Sequence, residues 1–135
     1  MDIKFALVGC GRIAYKHAEI LNGSLKGTKL AAVCDKNIEK AKQTGEKYGV
    51  PYYTDYSEML TKEDVDVVNI LTESGNHAKH TIDIVKKFQK HVVVEKPMAL
   101  ALKDADEMIR VCDEYGVKLF VVKQNRYNIP VLKLR

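Results

Sequence analysis

The sequence is poor in the residues that build disulfide frameworks and metal sites. Its three cysteines are Cys10, Cys34 and Cys112, an odd number with no CxxC pair and no His/Cys cluster at ligand spacing. Neither a disulfide scaffold nor a zinc site is indicated, and we expect no metal. Cysteine usage of this kind fits a reducing compartment, so we expect a cytoplasmic protein.

Long apolar segments are also lacking. No apolar run reaches the ~18 residues that a membrane helix needs, and no basic and apolar leader precedes the first motif. The chain has no internal repeat, low-complexity stretch or linker, and its 135 residues leave room for one ordinary domain. We therefore expect a soluble protein with no export signal and no membrane partner.

Acidic residues are absent from the C-terminal stretch. The net charge is +4, yet residues 117–135 carry five Lys and Arg residues and no acid, so the remainder of the chain has a net charge of −1. A nucleic-acid surface needs a broad basic patch, so nucleic acid is not an expected partner. The basic end is interpreted as a local anion site or as a solvated terminus.

What the sequence does contain is a series of short β-branched runs separated by segments of helical period. This pattern is typical of βαβ units around a parallel sheet that is buried on both faces. The predicted strands are residues 4–8, 29–34, a short one near Tyr52, and residues 65–71, 91–94 and 117–122. We therefore predict a doubly wound α/β fold with three layers, α/β/α.

Capping residues and apolar spacing predict the helices between these strands. Asn37 is the predicted N-cap of a helix that ends near Gly49, and Ser57 is the predicted cap of a short turn through Leu60. The clearest apolar helix face is formed by Leu102, Ala105, Met108, Ile109 and Cys112.

The first strand runs directly into GCGRIA at residues 9–14, a GxGxxA turn that opens a helix. Gly9 permits the tight turn, Gly11 lets a diphosphate approach the backbone, and Ala14 lets helix and strand pack closely. The phosphate then lies on the N–H groups of the helix start. The cofactor-binding residues expected from this Rossmann-type turn are Gly9, Gly11, Arg12 and Ile13.

An acidic residue closes the second strand. Asp35 follows Gly11 by 24 positions, the distance at which an acid accepts hydrogen bonds from the adenosine ribose of a dinucleotide. A carboxylate there repels a 2′-phosphate, so we expect NAD rather than NADP. The alternative is an ordinary turn followed by a surface aspartate.

Polar residues gather where the fourth strand ends, in LTESGNH at residues 71–77. Ligands bind at the carboxyl edge of open α/β sheets, so we expect Leu71, Thr72 and Ser74 to contact the cofactor. His77 begins the next helix and either borders the nicotinamide half or is a helix-start histidine without a ligand.

The fifth strand delivers VVVEKP at residues 92–97 to the same edge. A lysine there can orient a substrate hydroxyl, which assigns a catalytic role to Lys96 beside a cofactor-contacting Glu95. The alternative for this pair is a solvated ion pair.

The sixth strand runs into a stretch of amide and cationic donors. Gln124 is expected to contact the cofactor, and Asn125 and Arg126 the substrate, since a guanidinium suits a carboxylate or phosphate. The alternative is a charged exit loop.

In this order, GCGRIA, VCD, LTESGNH and VVVEKPMAL resemble the N-terminal half of the Gfo/Idh/MocA oxidoreductase family. The tripeptide EKP is the most specific of these motifs, and it implies a catalytic Lys96. The resemblance also implies an NAD-binding domain over residues 1–124, with residues 125–135 starting the connection to a C-terminal substrate domain. One departure is Glu73, where many relatives have proline.

The resemblance implies a sugar dehydrogenase that is a homo-oligomer in its full-length form. The ending VKQNRYNIPVLKLR at residues 122–135 is similar to the family branch that oxidises the 3-hydroxyl of UDP-N-acetylglucosaminuronate for surface polysaccharide such as O-antigen. Since a protonated Lys96 is not a base, either its pKa is depressed or a group of the absent domain accepts the proton.

Other functions also fit these motifs. They include another family dehydrogenase, for inositol or glucose, and a non-catalytic dinucleotide-binding or redox-sensing module. A Rossmann enzyme for S-adenosylmethionine explains the glycine turn but not EKP.

Overall fold

The computed structural model describes residues 2–24, 26–96 and 98–122. These residues form two compact units, the first ending at Leu71 and the second beginning at Thr72. The strand order is β3-β2-β1-β4 in the first unit, and β5 and β6 are neighbours in the second. The predicted Rossmann-type parallel α/β fold is confirmed.

The first unit alternates strands and helices from its start. Its elements are β1 (Ile3–Val8), α1 (Arg12–Glu19), an irregular turn (Ile20–Ser24), β2 (Thr28–Cys34), α2 (Ile38–Tyr48), β3 (Tyr52–Tyr53), α3 (Tyr56–Lys62) and β4 (Val67–Ile70). β1 pairs in parallel with both β2 and β4, and β2 pairs in parallel with β3. The four predicted strands of this unit are confirmed, although β4 is shorter than residues 65–71.

The second unit continues the alternation. Its elements are a 3₁₀ turn (Ser74–Asn76), α4 (His77–Phe88), β5 (His91–Glu95), α5 (Leu102–Tyr115) and β6 (Leu119–Val122). β5 and β6 are parallel neighbours, with Val92 opposite Leu119 and Glu95 opposite Val122. β6 starts two residues later than the predicted strand over residues 117–122.

The core of the first unit lies between β1, β2 and α1. Its buried cluster joins the apolar faces of these elements and consists of Leu7, Cys10, Ala14, Ala18, Leu21, Leu30, Val33 and Leu71. Ala14 and Ala18 are fully buried, and their small side chains let α1 approach the strands. The close packing predicted for Ala14 is therefore present.

The apolar face predicted for α5 is partly wrong. Met108 and Cys112 are buried, but Leu102 is 79% exposed and Ile109 is 48% exposed. The buried face of α5 instead consists of Met108, Val111 and Cys112, which follow the i, i+3, i+4 spacing of one helix face. Ile109 lies about 100° of helix rotation away from Met108 and therefore outside this buried face.

Capping is confirmed for α2 and corrected for α3. The Asn37 side chain accepts hydrogen bonds from the N–H groups of Glu39 and Lys40, and Gly49 ends α2 with a left-handed φ of 67°. The cap of α3 is Asp55 and not Ser57, because Asp55 Oδ1 accepts the Ser57 N–H at 2.9 Å. Both residue types cap helices well, so the backbone before α3 decides which one does.

No helix within the described residues is both long and apolar enough to cross a bilayer.

Candidate functional site

The glycine turn between β1 and α1 is held in a conformation that glycine favours. Gly9 has a φ of 111°, and its N–H donates to Cys34 O at 2.7 Å. Gly11 is the N-cap of α1, and no side chain caps this helix. A Cβ added at Gly11 would meet no atom of the described residues within 4 Å. The space over the helix start is therefore open, which fits the diphosphate of a dinucleotide.

The two residues that begin α1 differ in their surroundings. Arg12 is exposed, whereas Ile13 is half-buried and packs against the core cluster of the first unit. Ile13 therefore anchors the helix start, while Arg12 is accessible to a ligand.

Asp35 lies at the end of β2 with its carboxylate already engaged. Its Oδ2 accepts the Cys10 N–H at 2.7 Å, and its Oδ1 accepts the Asn37 N–H at 2.8 Å. A carboxylate has about four acceptor positions, so both oxygens retain capacity for the hydroxyls of a ribose. Sequence reasoning did not predict the contact with Cys10, which joins residues 25 positions apart.

The cysteines of this turn are buried thiols. Cys10 and Cys34 are each 3% exposed, and both are free. Burial raises the pKa of Cys10 to about 11 and that of Cys34 to about 12. Both thiols are therefore protonated at neutral pH and poorly reactive.

In the first unit, Leu71 follows β4 and is nearly buried, with its N–H donating to Val8 O at 2.8 Å. It is a core residue whose side chain belongs to the buried cluster. Any contact with a cofactor is therefore restricted to its small exposed fraction.

Two histidines of α4 hold Thr72, the first residue of the second unit. His77 Nε2–H donates to Thr72 O at 2.9 Å, and His80 Nδ1 shares a hydrogen bond of 3.1 Å with Thr72 Oγ1. Both rings are buried, His77 being 2% exposed and His80 8%. The predicted cofactor residue Ser74 begins the 3₁₀ turn that these bonds enclose. Sequence reasoning assigns no role to His80, although its i, i+3 spacing from His77 was the available signal.

The end of β5 presents one buried acid and one exposed cation. Glu95 is 9% exposed within the strand, and Lys96 follows immediately with an exposed side chain. The alternative of a solvated ion pair therefore agrees with the exposure of Lys96 but not with the burial of Glu95. Gln124, Asn125 and Arg126 lie outside the described residues, so their predicted roles remain predictions.

The described residues contain no group of three or more His, Cys, Asp or Glu side chains arranged to hold a metal ion. The groups that the structure offers in the first unit are instead an open helix start, a carboxylate and backbone donors, the set that binds a dinucleotide.

Comparison with known proteins extends this interpretation. Residues 3–123 match the family model GFO_IDH_MocA, described as oxidoreductase family, NAD-binding Rossmann fold. The chain is 30% identical to D-apiose dehydrogenase of Paraburkholderia graminis, covering 92% of this chain and 33% of the relative. It is 31% identical to myo-inositol 2-dehydrogenase of Thermotoga maritima, covering 98% of this chain and 40% of the relative.

A solved structure is more similar in sequence than these relatives. It is the WlbA dehydrogenase from Bordetella pertussis in complex with NADH and UDP-GlcNAcA, with 37% identity and a TM-score of 0.89 over 97% of this chain and 40% of that chain. The chain thus spans between a third and two-fifths of the length of these proteins. The family model confirms NAD as the predicted cofactor. The chain belongs to the Gfo/Idh/MocA oxidoreductase family and comprises its NAD-binding Rossmann fold.

Proposed function

We propose that these residues are the cofactor domain of an NAD-dependent dehydrogenase that oxidises the 3-hydroxyl of a UDP-N-acetylglucosaminuronate. The observation that carries the proposal is the 37% identity, over 97% of this chain, to a structure that holds NADH and UDP-GlcNAcA. Such a reaction serves the synthesis of surface polysaccharide such as O-antigen. We place it in the cytoplasm, in a homo-oligomer, with a small nucleotide-sugar as partner rather than nucleic acid or membrane.

The proposed organisation follows the family match. Residues 1–124 form the NAD-binding domain, and residues 125–135 begin the connection to a C-terminal substrate domain. The match over residues 3–123 supports the first assignment, because it ends within one residue of the end of the proposed domain.

NAD binding is assigned first to the glycine turn and the end of β2. Gly9 and Gly11 leave room for the diphosphate, Arg12 and Ile13 present the helix start to it, and Asp35 accepts the adenosine ribose hydroxyls. The open space over Gly11 supports this assignment. Bound NAD supplies the nicotinamide that accepts a hydride.

The remaining cofactor contacts are assigned to residues after later strands. They are Leu71, Thr72, Ser74, His77, Glu95 and Gln124. The hydrogen bonds that join His77 and His80 to Thr72 support this assignment, because a fixed loop presents its polar groups without an ordering cost.

Lys96 is the proposed catalytic residue, and Asn125 and Arg126 are proposed to hold the anionic part of the substrate. The exposed Lys96 ammonium donates a hydrogen bond to the substrate hydroxyl and favours its loss of a proton. A protonated lysine cannot accept that proton, so we assign the base to the C-terminal domain.

An inositol dehydrogenase is the second candidate. It is favoured by the 31% identity to myo-inositol 2-dehydrogenase over 98% of this chain. NADH formation with UDP-N-acetylglucosaminuronate or with myo-inositol as the sole substrate separates the two. A protein that binds NAD and oxidises no sugar would instead be a dinucleotide-binding module.

The experiment that tests the catalytic assignment is Lys96→Ala in the protein that contains the C-terminal domain. We expect kcat to fall by about 10²- to 10³-fold, the usual cost of removing one hydrogen-bond donor to an oxygen that gains negative charge, with NAD affinity unchanged. Lys103→Ala, another exposed lysine, is the matched control and should retain kcat. An unchanged kcat for Lys96→Ala contradicts the assignment.

A further inference from the structure

The end of β2 is joined to the glycine turn by three hydrogen bonds. Cys34 O accepts the Gly9 N–H at 2.7 Å and the Cys10 Sγ–H at 3.5 Å. Asp35 Oδ2 accepts the Cys10 N–H at 2.7 Å, and it is the one charged group among these partners. Hydrogen bonds to a charged group are about twice as strong as neutral ones, so the Asp35 bond is the strongest single restraint on the turn.

The Asp35 carboxylate is itself fixed by its neighbours. Its Oδ1 accepts the Asn37 N–H at 2.8 Å, and the Asp35 N–H donates to Tyr53 O at 3.0 Å. Its backbone and both of its carboxylate oxygens are therefore restrained. An acceptor held in this way can impose a conformation on the segment that it binds.

We propose that Asp35 is a positioning residue for the diphosphate-binding turn, in addition to its proposed contact with the ribose. This inference rests on the proposed use of NAD. Asp35 acts through Cys10: it holds the Cys10 N–H and so fixes the backbone between Gly9 and Gly11. Because the N–H of Cys10 is taken, the diphosphate uses donors at the start of α1.

Positioning and simple electrostatics predict opposite effects when the charge of Asp35 is removed. A carboxylate near a diphosphate repels it, so loss of the charge alone tightens the binding of any anion to the turn. Loss of the Cys10 bond instead lets the turn adopt other conformations. The apparent affinity for the dinucleotide then falls in proportion to the fraction of molecules whose turn keeps the binding conformation.

The experiment compares NAD with an analogue whose adenosine ribose lacks both the 2′- and the 3′-hydroxyl. This analogue cannot bond Asp35 through the ribose, but it retains the diphosphate. Dissociation constants of both ligands are measured by calorimetry for the natural chain and for Asp35→Asn, whose amide keeps only one acceptor oxygen.

The matched control is Asp55→Asn. Asp55 also accepts the N–H two residues later, that of Ser57 at 2.9 Å, but it is not bonded to the glycine turn. We expect Asp55→Asn to bind both ligands as the natural chain does.

For Asp35→Asn we expect the analogue to bind about tenfold more weakly, the loss of one charge-assisted hydrogen bond. If the analogue binds equally or more tightly while NAD binds more weakly, the positioning role is overturned. The proposed contact of Asp35 with the ribose of NAD then still stands. Failure of the natural chain to bind NAD would overturn the proposed function instead.

Hydrogen exchange in the natural chain covers the case in which Asp35→Asn does not fold. The Cys10 amide should then exchange slowly without ligand, as expected for a donor held by Asp35. Exchange at the rate of an unprotected amide overturns the proposal.

Discussion

The helices that follow β1 and β2 begin in opposite ways. Among the described residues, no side chain caps α1, whose N-cap is Gly11. In α2, by contrast, Asn37 Oδ1 accepts the N–H groups of Glu39 and Lys40 at 2.9 and 3.3 Å. A helix start that the chain satisfies itself is structural, whereas one without a side-chain cap presents donors to a ligand. This difference agrees with the proposed place of the diphosphate at α1, although α4 and α5 also begin without a side-chain cap in the described part of the chain.

Glycine has different purposes in the same two regions. A Cβ at Gly11 would meet open space, but a Cβ at Gly45, inside α2, would lie 2.9 Å from Tyr52 Cβ and from Val50 O. Gly11 therefore leaves room for a ligand, and Gly45 lets the chain after α2 pack against the helix. Substitutions at these glycines should have separable effects on binding and on stability.

The largest effect is expected for Gly11→Val. The backbone at Gly11 is extended, with φ −82° and ψ −162°, so valine fits the fold, and we expect the melting temperature to change little. Its side chain fills the space assigned to the diphosphate, and we expect NAD to bind about 100-fold more weakly, since overpacking costs about 1–3 kcal/mol. Calorimetry and thermal melts measure the two effects, and unchanged NAD affinity contradicts the assignment of α1.

Gly45→Ala should instead lower the stability of the fold and leave NAD affinity unchanged. The added methyl group collides with backbone and side-chain atoms that are fixed by packing, and we expect about 2 kcal/mol of destabilisation despite the better helix propensity of alanine. Urea denaturation measures the loss. The control is Glu46→Ala, an exposed position of the same helix, which should be nearly neutral. If Gly45→Ala is as stable as the natural chain, the close approach of Tyr52 is wrong.

A smaller effect is expected for Asn37→Ala, which removes the cap of α2. Its cost is about 1 kcal/mol in free energy of unfolding, the usual contribution of an N-cap. Because α2 is assigned no ligand, NAD affinity should stay the same within about twofold. A large loss of NAD affinity at unchanged stability would place a ligand at α2 instead.

The smallest effect concerns the buried thiols beside the glycine turn. Burial raises the pKa of Cys10 from 9.0 to about 11 and that of Cys34 from 9.0 to about 12. The contribution of these thiols to the free energy of unfolding is complete below about pH 9. It is lost as the pH rises toward 11 to 12, because the thiols then ionise only in the unfolded chain. We expect the free energy of unfolding to fall between about pH 9 and 11, and replacement of both cysteines by alanine to reduce this fall. An equal fall in that variant excludes the thiols as its cause.

Much of the fold follows from local sequence pattern. β-branched runs predict all six strands, and Asn37 and Gly49 predict the ends of α2, because these signals depend on neighbouring residues. The cap of α3 was predicted wrongly, since Asp55 and Ser57 are both good caps and only the chain path before the helix selects Asp55. Helix rotation is likewise fixed by packing, which explains the exposure of Ile109.

The candidate site is predictable in its residue types and less so in its contacts. The glycine turn and Asp35 follow from spacing, but the hydrogen bond from Cys10 to Asp35 depends on how β1 and β2 align. The hydrogen bond between His80 and Thr72 depends in the same way on the path of the loop before α4. Pairings of this kind require the folded backbone.

Titration of this chain with NAD and with NADP tests the cofactor site most directly. We predict that NAD binds more tightly than NADP, because the Asp35 carboxylate accepts ribose hydroxyls and repels a 2′-phosphate, and that Asp35→Ala loses this preference. Absence of NAD binding, or a preference for NAD that survives Asp35→Ala, would contradict the assignment of the cofactor to the glycine turn and the end of β2.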